Sequence, residues 1–109
     1  MRTNTKKTKM TGKGGAVYIL TNRTHTVLYT GVTSDLMFRI SEHREMCYPK
    51  IFTAKYKTYK LVYYSIFFDI EEAIAEEKRI KGGSRNKKLA LINGMNPQWS
   101  DLWEDVKQW

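Results

Sequence analysis

Two short β-branched and aromatic runs, Ala16 to Thr21 (AVYILT) and Val27 to Val32 (VLYTGV), are separated by the polar stretch Asn22 to Thr26. Such residues fit a pleated, half-buried surface, and the short polar interval between them reads as the loop of a β-hairpin. In the antiparallel register that such a loop suggests, Tyr18 and Tyr29 sit opposite each other on one face. The rest of the chain has to supply what covers this hairpin.

Ser34 or Asp35 is a good N-cap, and the absence of Gly and Pro to about Met46 predicts a helix there. At about 100° per residue, Leu36, Ile40 and Cys47 share one face, with Arg39 and His43 together on its edge. Pro49 breaks the pattern, and 51–58 is a basic, aromatic-containing connection. Lys60 to Phe68 (KLVYYSIFF) reads as a third strand and, being the most apolar run, as the central one. Asp69 can cap a helix from Ile70 to about Lys81, ended by Gly82 and Gly83, and Ser84 a further helix ending near Asn93 and Gly94. After the Asn96-Pro97 turn, Trp99, Leu102, Trp103 and Val106 can anchor a last helical segment. The order β-β-α-β-α-α predicts an α+β fold: a small three-stranded, mainly antiparallel sheet packed with helices, one face or edge left open as the working surface.

A chain of 109 residues is most simply one domain, here 15–109. The net charge is +8, and Arg2, Lys6, Lys7, Lys9 and Lys13 place most of the excess in 1–14, a tail rich in Thr, Lys and Gly with no acid. That composition reads as a disordered basic arm, and the charge favours polyanionic partners through counterion release. No apolar run approaches the roughly 18 residues a membrane span needs, and no signal peptide is evident, so no membrane partner is expected. A single cysteine, Cys47, excludes an internal disulfide or a cysteine zinc site and fits a reducing cytoplasm.

Glu77 is the sharpest single clue to chemistry. It falls among Ile70, Ala73, Ile74 and Ile80 on the apolar stripe of its helix, while Glu71, Glu72 and Glu76 fall on other sides. A carboxylate on a packing face carries a desolvation cost unless a cation or hydrogen bonds meet it. It is either a metal ligand or half of an internal ion pair, for instance with Arg39 or a lysine. Arg39 offers a fork of donors matched to phosphate oxygens, and His43, one turn on, can exchange protons with the same group. A tyrosine beside a metal and an arginine can act as general base toward water or orient it. The bland alternatives are a surface Arg/His pair and ordinary cross-strand packing of tyrosines.

Taken together, Val17-Tyr18-Ile19, Tyr29-Thr30-Gly31, Arg39 with His43, Lys60 to Tyr64, Ala73 to Lys81 with Glu77, Ser84 to Lys88 and Asn96 to Trp99 resemble the GIY-YIG nuclease family, specifically its small bacterial single-domain (UPF0213-like) members. The resemblance implies the GIY-YIG endonuclease fold and one divalent metal, Mg2+ or Mn2+, held by Glu77. It further implies that Tyr18 and Tyr29 position or deprotonate the attacking water, Arg39 meets the scissile phosphate and His43 assists proton traffic. Val17 and Thr30 replace the motifs' glycine and isoleucine, and Gly83 stands where relatives often carry tryptophan. Asn93 and Asn96 both remain candidates for the family's late asparagine, outside the catalytic set.

The sequence therefore leads us to expect a metal-dependent endonuclease that hydrolyses phosphodiester bonds of DNA with an activated water. Lys55, Lys57, Lys60, Arg85, Lys87 and Lys88 would hold the nucleic-acid backbone without reading sequence. A homodimer or a partner protein would compensate for a low intrinsic affinity. The rivals are a non-catalytic nucleic-acid-binding module on the same fold and a protein-interaction domain using Lys60 to Phe68 or the tryptophan-bearing C-terminus.

Overall fold

A computed structural model describes residues 14–45 and 56–109. The expected basic tail (all but its last residue), Cys47, Pro49 and Lys55 lie outside the described residues. The elements are β1 (Gly15–Thr21), β2 (Leu28–Thr33), α1 (Leu36–Arg44), β3 (Lys60–Phe67), α2 (Ile70–Lys81), α3 (Arg85–Met95) and α4 (Trp103–Val106). Both strand pairings are antiparallel, in the order β2-β1-β3. The α+β class and the element order are those expected from the sequence.

One expectation about the sheet needs correction, and of the expected open face or edge only the edge is left. The central strand is β1, not the more apolar β3, and every residue of β1 is buried whereas most of β3 is half-buried. Total apolarity misleads here because Tyr63, Tyr64 and Ser65 are amphipathic and suit an edge. The informative signal is that AVYIL lacks any polar alternation, the mark of a strand covered on both faces. Nor is one face of the sheet open. Ala16, Tyr18 and Leu20 pack with Leu36 and Ile40 of α1 and Val106 of α4, while Val17 and Ile19 pack with Ala73 and Ile80 of α2 and Ile92 of α3. The working surface is left to edges and ends of the sheet.

Local chemistry sets the helix boundaries. Asp35, rather than Ser34, caps α1 by accepting from the Phe38 N–H at 3.1 Å, and Ser84 caps α3 by accepting from the Lys87 N–H at 3.1 Å. Asp69 precedes α2 in extended conformation but makes no capping bond. Asp101 fastens the C-terminal segment: its carboxylate accepts from the Leu61 and Trp103 N–H groups and pairs with Arg44 at 2.7 Å. Leu102 N–H then donates to Leu61 O at 2.7 Å, so the tryptophan-bearing end is tied to the outer side of β3. Between α2 and α3 lies a cavity of about 280 Å3, with Gly83, Lys87 and Lys88 in its wall.

Candidate active site

The hairpin pairs Tyr18 with Gly31 and Leu20 with Tyr29, so the two tyrosines are diagonal rather than directly opposite as expected. The loop is the cause. Asn22 Oδ1 accepts from the Thr26 and Val27 N–H groups, which lengthens the loop to Thr21↔Leu28 and slips the register by two residues. Because side chains alternate with period two, that slip keeps both phenols on one face. Gly31 has a definite reason to be glycine. The Tyr18 ring lies across it, and a Cβ there would sit 2.9 Å from Tyr18 Cε1 and closer still to Cζ and the hydroxyl oxygen.

Above this face α1 presents Arg39 and His43. The rings of Tyr18 and Tyr29 are 6.4 Å apart, and each is 5.7 Å from the His43 ring in an edge-on arrangement. Tyr18 Oη lies 3.0 Å from His43 Nε2, buried. The Arg39 guanidinium also lies close enough to Tyr18 to act on its phenol. Guanidinium can only donate, so Arg39 faces the Tyr18 oxygen as a donor, while the Tyr18–His43 bond runs from the phenol O–H to Nε2 when the imidazole hydrogen is on Nδ1 and from Nε2–H to the phenol oxygen in the other tautomer. The three side chains are gathered about the Tyr18 oxygen.

Burial, the largest cause, and the neighbouring Tyr29 push the Tyr18 phenol up to about 12. The Glu77 carboxylate adds to the rise, while Arg39 opposes it. Tyr18 is thus a neutral phenol at pH 7. Burial, then the Arg39 charge, lowers His43 to about 4, against a smaller opposing effect of Glu42. The imidazole is neutral and able to accept.

That depression has a measurable consequence. An unfolded histidine takes up a proton near pH 6.5, whereas His43 in the folded chain resists until about 4. Stability is therefore expected to fall as the pH drops from 6.5 toward 4, by as much as about 3 kcal/mol at the lower end. Denaturant titrations at pH 7 and pH 4.5 should show this loss in the wild type and a smaller one in His43→Gln.

Glu77 is buried on α2 as expected, between Ala73 and Ile80. The stripe differs in one member: Ile74 is exposed and lies off it. α2 packs over β1 and β2, which brings the Glu77 charge within electrostatic reach of Tyr18. The described ion partner of Glu77 is Lys81, with Nζ to Oε2 at 2.7 Å, one turn along the same helix. Lys81 is 53% exposed against 11% for the Glu77 side chain, so the lysine can swing into water at little cost.

Glu42 escaped the sequence reading. It accepts from Arg39 Nη1 at 3.1 Å, and its side chain is only 15% exposed. The Arg39-x-x-Glu42 spacing, which puts both groups on one helical face, was the available signal. Among the described residues no group of three or more His, Cys, Asp or Glu is gathered. A divalent ion would fit Glu77 as a hard oxygen donor facing one mobile lysine, with water and phosphate oxygens completing the shell, as magnesium tolerates.

The basic residues are used unevenly. Lys60 Nζ donates to His25 Nε2 at 3.0 Å, and Arg85 donates to the Thr26 carbonyl at 3.2 Å, so both brace the hairpin loop. Lys88 donates to the Gly83 carbonyl at 3.1 Å, while Lys57 and Lys87 are exposed. Of the late asparagines, Asn96 is buried and clamps Val62 O and Ser100, and Asn93 accepts from the Trp99 indole N–H at 2.7 Å.

These features coincide with known proteins. The profile of the GIY-YIG catalytic domain matches residues 14–90, and the chain belongs to the GIY-YIG family, a family of nucleases. Among its relatives are UPF0213 proteins. One from Clostridium perfringens is 42% identical over 77 residues, covering 71% of this chain and 81% of the relative. Another, from Syntrophus aciditrophicus, is 35% identical over 82 residues, covering 75% and 92%. The solution NMR structure of a UPF0213 protein from Bacillus halodurans is 30% identical, with a TM-score of 0.52 over 81% of this chain and 92% of that one. The fold and the family are thus those the motifs implied. GIY-YIG nucleases generally use divalent metals and act on nucleic acid. Among the described residues no helix is long and apolar enough to cross a membrane.

Proposed function

We propose that this chain is a Mg2+- or Mn2+-dependent endonuclease that hydrolyses phosphodiester bonds of DNA by attack of a water. The observation that carries this reading is the buried Tyr18–His43 hydrogen bond beside Arg39, with the buried Glu77 carboxylate near enough to act electrostatically on Tyr18. Glu77 would hold the metal after Lys81 turns outward. The metal would supply Lewis-acid stabilisation of charge developing on phosphate oxygens. Arg39 keeps its charge at every working pH and offers its fork to the scissile phosphate, with Glu42 holding the guanidinium in place meanwhile.

Tyr18 and Tyr29 orient the attacking water. As the water gives its proton to Tyr18, Tyr18 passes its own along the existing hydrogen bond to His43 Nε2, so no phenolate need exist in the resting site. The negative charge of Glu77 opposes ionisation of Tyr18, and a dication there would reverse that influence. Lys57 and Lys87 would contact the backbone of the nucleic acid, with Lys55, Lys60, Arg85 and Lys88 extending that surface. The setting would be the cytoplasm, with a second copy or a partner protein raising the affinity for DNA.

Nicking of supercoiled plasmid tests this. Wild type with magnesium should convert the plasmid to open circle, EDTA should stop the reaction, and Arg39→Ala should slow it about a hundredfold. Binding of plasmid without cleavage across Mg2+ and Mn2+ conditions would instead identify a non-catalytic nucleic-acid module.

A further inference from the structure

The loop end of the β1–β2 hairpin carries an arrangement that the nuclease chemistry does not use. His25, in the β1–β2 loop, stacks on Trp99 with ring centroids 4.7 Å apart and planes inclined by 31°. Trp99 packs inward on the Val17, Ile19 and Ile92 cluster, which makes His25 the outer, half-exposed ring. Both residues hold left-handed backbone, with φ of 61° at His25 and 55° at Trp99. For a residue as bulky as tryptophan this is a strained conformation that persists only where the surroundings enforce it.

The enforcement is visible. Asn96 O accepts from the Trp99 N–H at 2.9 Å, and Asn93 Oδ1 fixes the indole N–H at 2.7 Å. From the other side Lys60 Nζ holds His25 Nε2, and Arg85 holds the loop carbonyls. Four segments distant in sequence thus fix one flat ring over another and bring two cations to the same loop. The loop leads directly into β2, where Tyr29 follows His25 by four residues.

Flat rings backed by the core and flanked by cations match the needs of single-stranded nucleic acid, whose bases stack on aromatic faces while lysine and arginine meet the phosphates. A duplex hides its base faces and cannot use such a platform. We propose that the outer face of the His25–Trp99 stack receives an unpaired nucleobase, with Lys60 and Arg85 beside its phosphates, so that the substrate includes a single-stranded nucleotide next to the cleavage site. This rests on the nucleic-acid reading above and narrows its substrate class.

The test is equilibrium binding in EDTA at low salt, of a fluorescein-labelled twelve-residue thymidine oligomer and of a blunt twelve-base-pair duplex. His25→Gly removes the ring while glycine accepts the left-handed backbone, and His25→Tyr restores a ring. The glycine variant should bind the thymidine oligomer about tenfold more weakly and the duplex within about twofold of wild type, with the tyrosine variant returning the loss. Several results would overturn the proposal: unchanged oligomer affinity in His25→Gly, equal losses on both probes, a tyrosine variant no better than the glycine one, or no binding of the oligomer by wild type. A lowered melting temperature with unchanged affinities would make the stack a structural clasp only. Since cleavage plays no part in this readout, the outcome is independent of whether the Glu77 site is catalytic.

Discussion

Glu77→Gln should abolish nicking while leaving the fold intact. The substitution keeps the shape of a side chain that is 11% exposed between Ala73 and Ile80 but removes its charge. An amide is a poor ligand for a hard dication, so the expected loss is about a thousandfold in rate, equivalent to about 4 kcal/mol of transition-state stabilisation. Stability should move the other way or not at all. The carboxylate is desolvated and answered by a lysine that is itself half in water, and the amide escapes that cost. A melting temperature at or above that of wild type, together with lost activity, is the signature of a group retained for function at the expense of stability. Activity parallel to wild type would mean that the Glu77–Lys81 pair is only structural.

Gly31→Ala should have the largest effect on the fold among single methyl additions near the site. The added Cβ would overlap the Tyr18 hydroxyl and ring, and Tyr18 is 1% exposed, held between His43 and Arg39 with no space to move into. The ring must tilt or β2 must shift, at about 2–3 kcal/mol. For a domain of this size that lowers the melting temperature by roughly 10–20 °C. Tilting the ring also breaks the bond to His43 Nε2, so residual activity should fall further than stability predicts. Gly15 offers a comparison: a Cβ there meets Ile70 Cδ1 at 2.7 Å, remote from the phenols. Gly15→Ala should therefore cost stability with much less change in the rate per folded molecule.

The ordering of elements and the position of Glu77 were legible in the sequence because both follow from periodicity. An angular sum places residue 77 among the apolar positions of α2, whatever the helix packs against. The hairpin was legible from its two β-branched and aromatic runs around a polar interval, but its register was not. That depended on Asn22, whose side chain takes two loop N–H groups and so determines where pairing begins. Assigning the sheet's centre failed because apolar content measures burial poorly in a strand rich in tyrosine. Lys60 and Arg85 looked like free cations, yet the fold uses them to brace His25 and Thr26. Such long-range side-chain partners leave no periodic trace.

The proton chain shows why named residues alone underdetermine a mechanism. A tyrosine beside a metal and an arginine was expected to act as general base toward water or to orient it, and a nearby cation does favour the phenolate. Burial wins over Arg39 in the structure, and the phenol stays protonated. What the structure holds is a neutral phenol hydrogen-bonded to a neutral imidazole.

The account depends most on a metal ion held by Glu77 beside the two phenols. Crystals soaked in manganese and measured at a wavelength where manganese scatters anomalously would address this directly. The expected result is an anomalous peak at coordination distance from a Glu77 carboxylate oxygen, with the Lys81 ammonium displaced, and no such peak in Glu77→Gln. A wild-type crystal at saturating manganese with the Glu77–Lys81 pair intact and no peak between Glu77, Tyr18 and Tyr29 would contradict it.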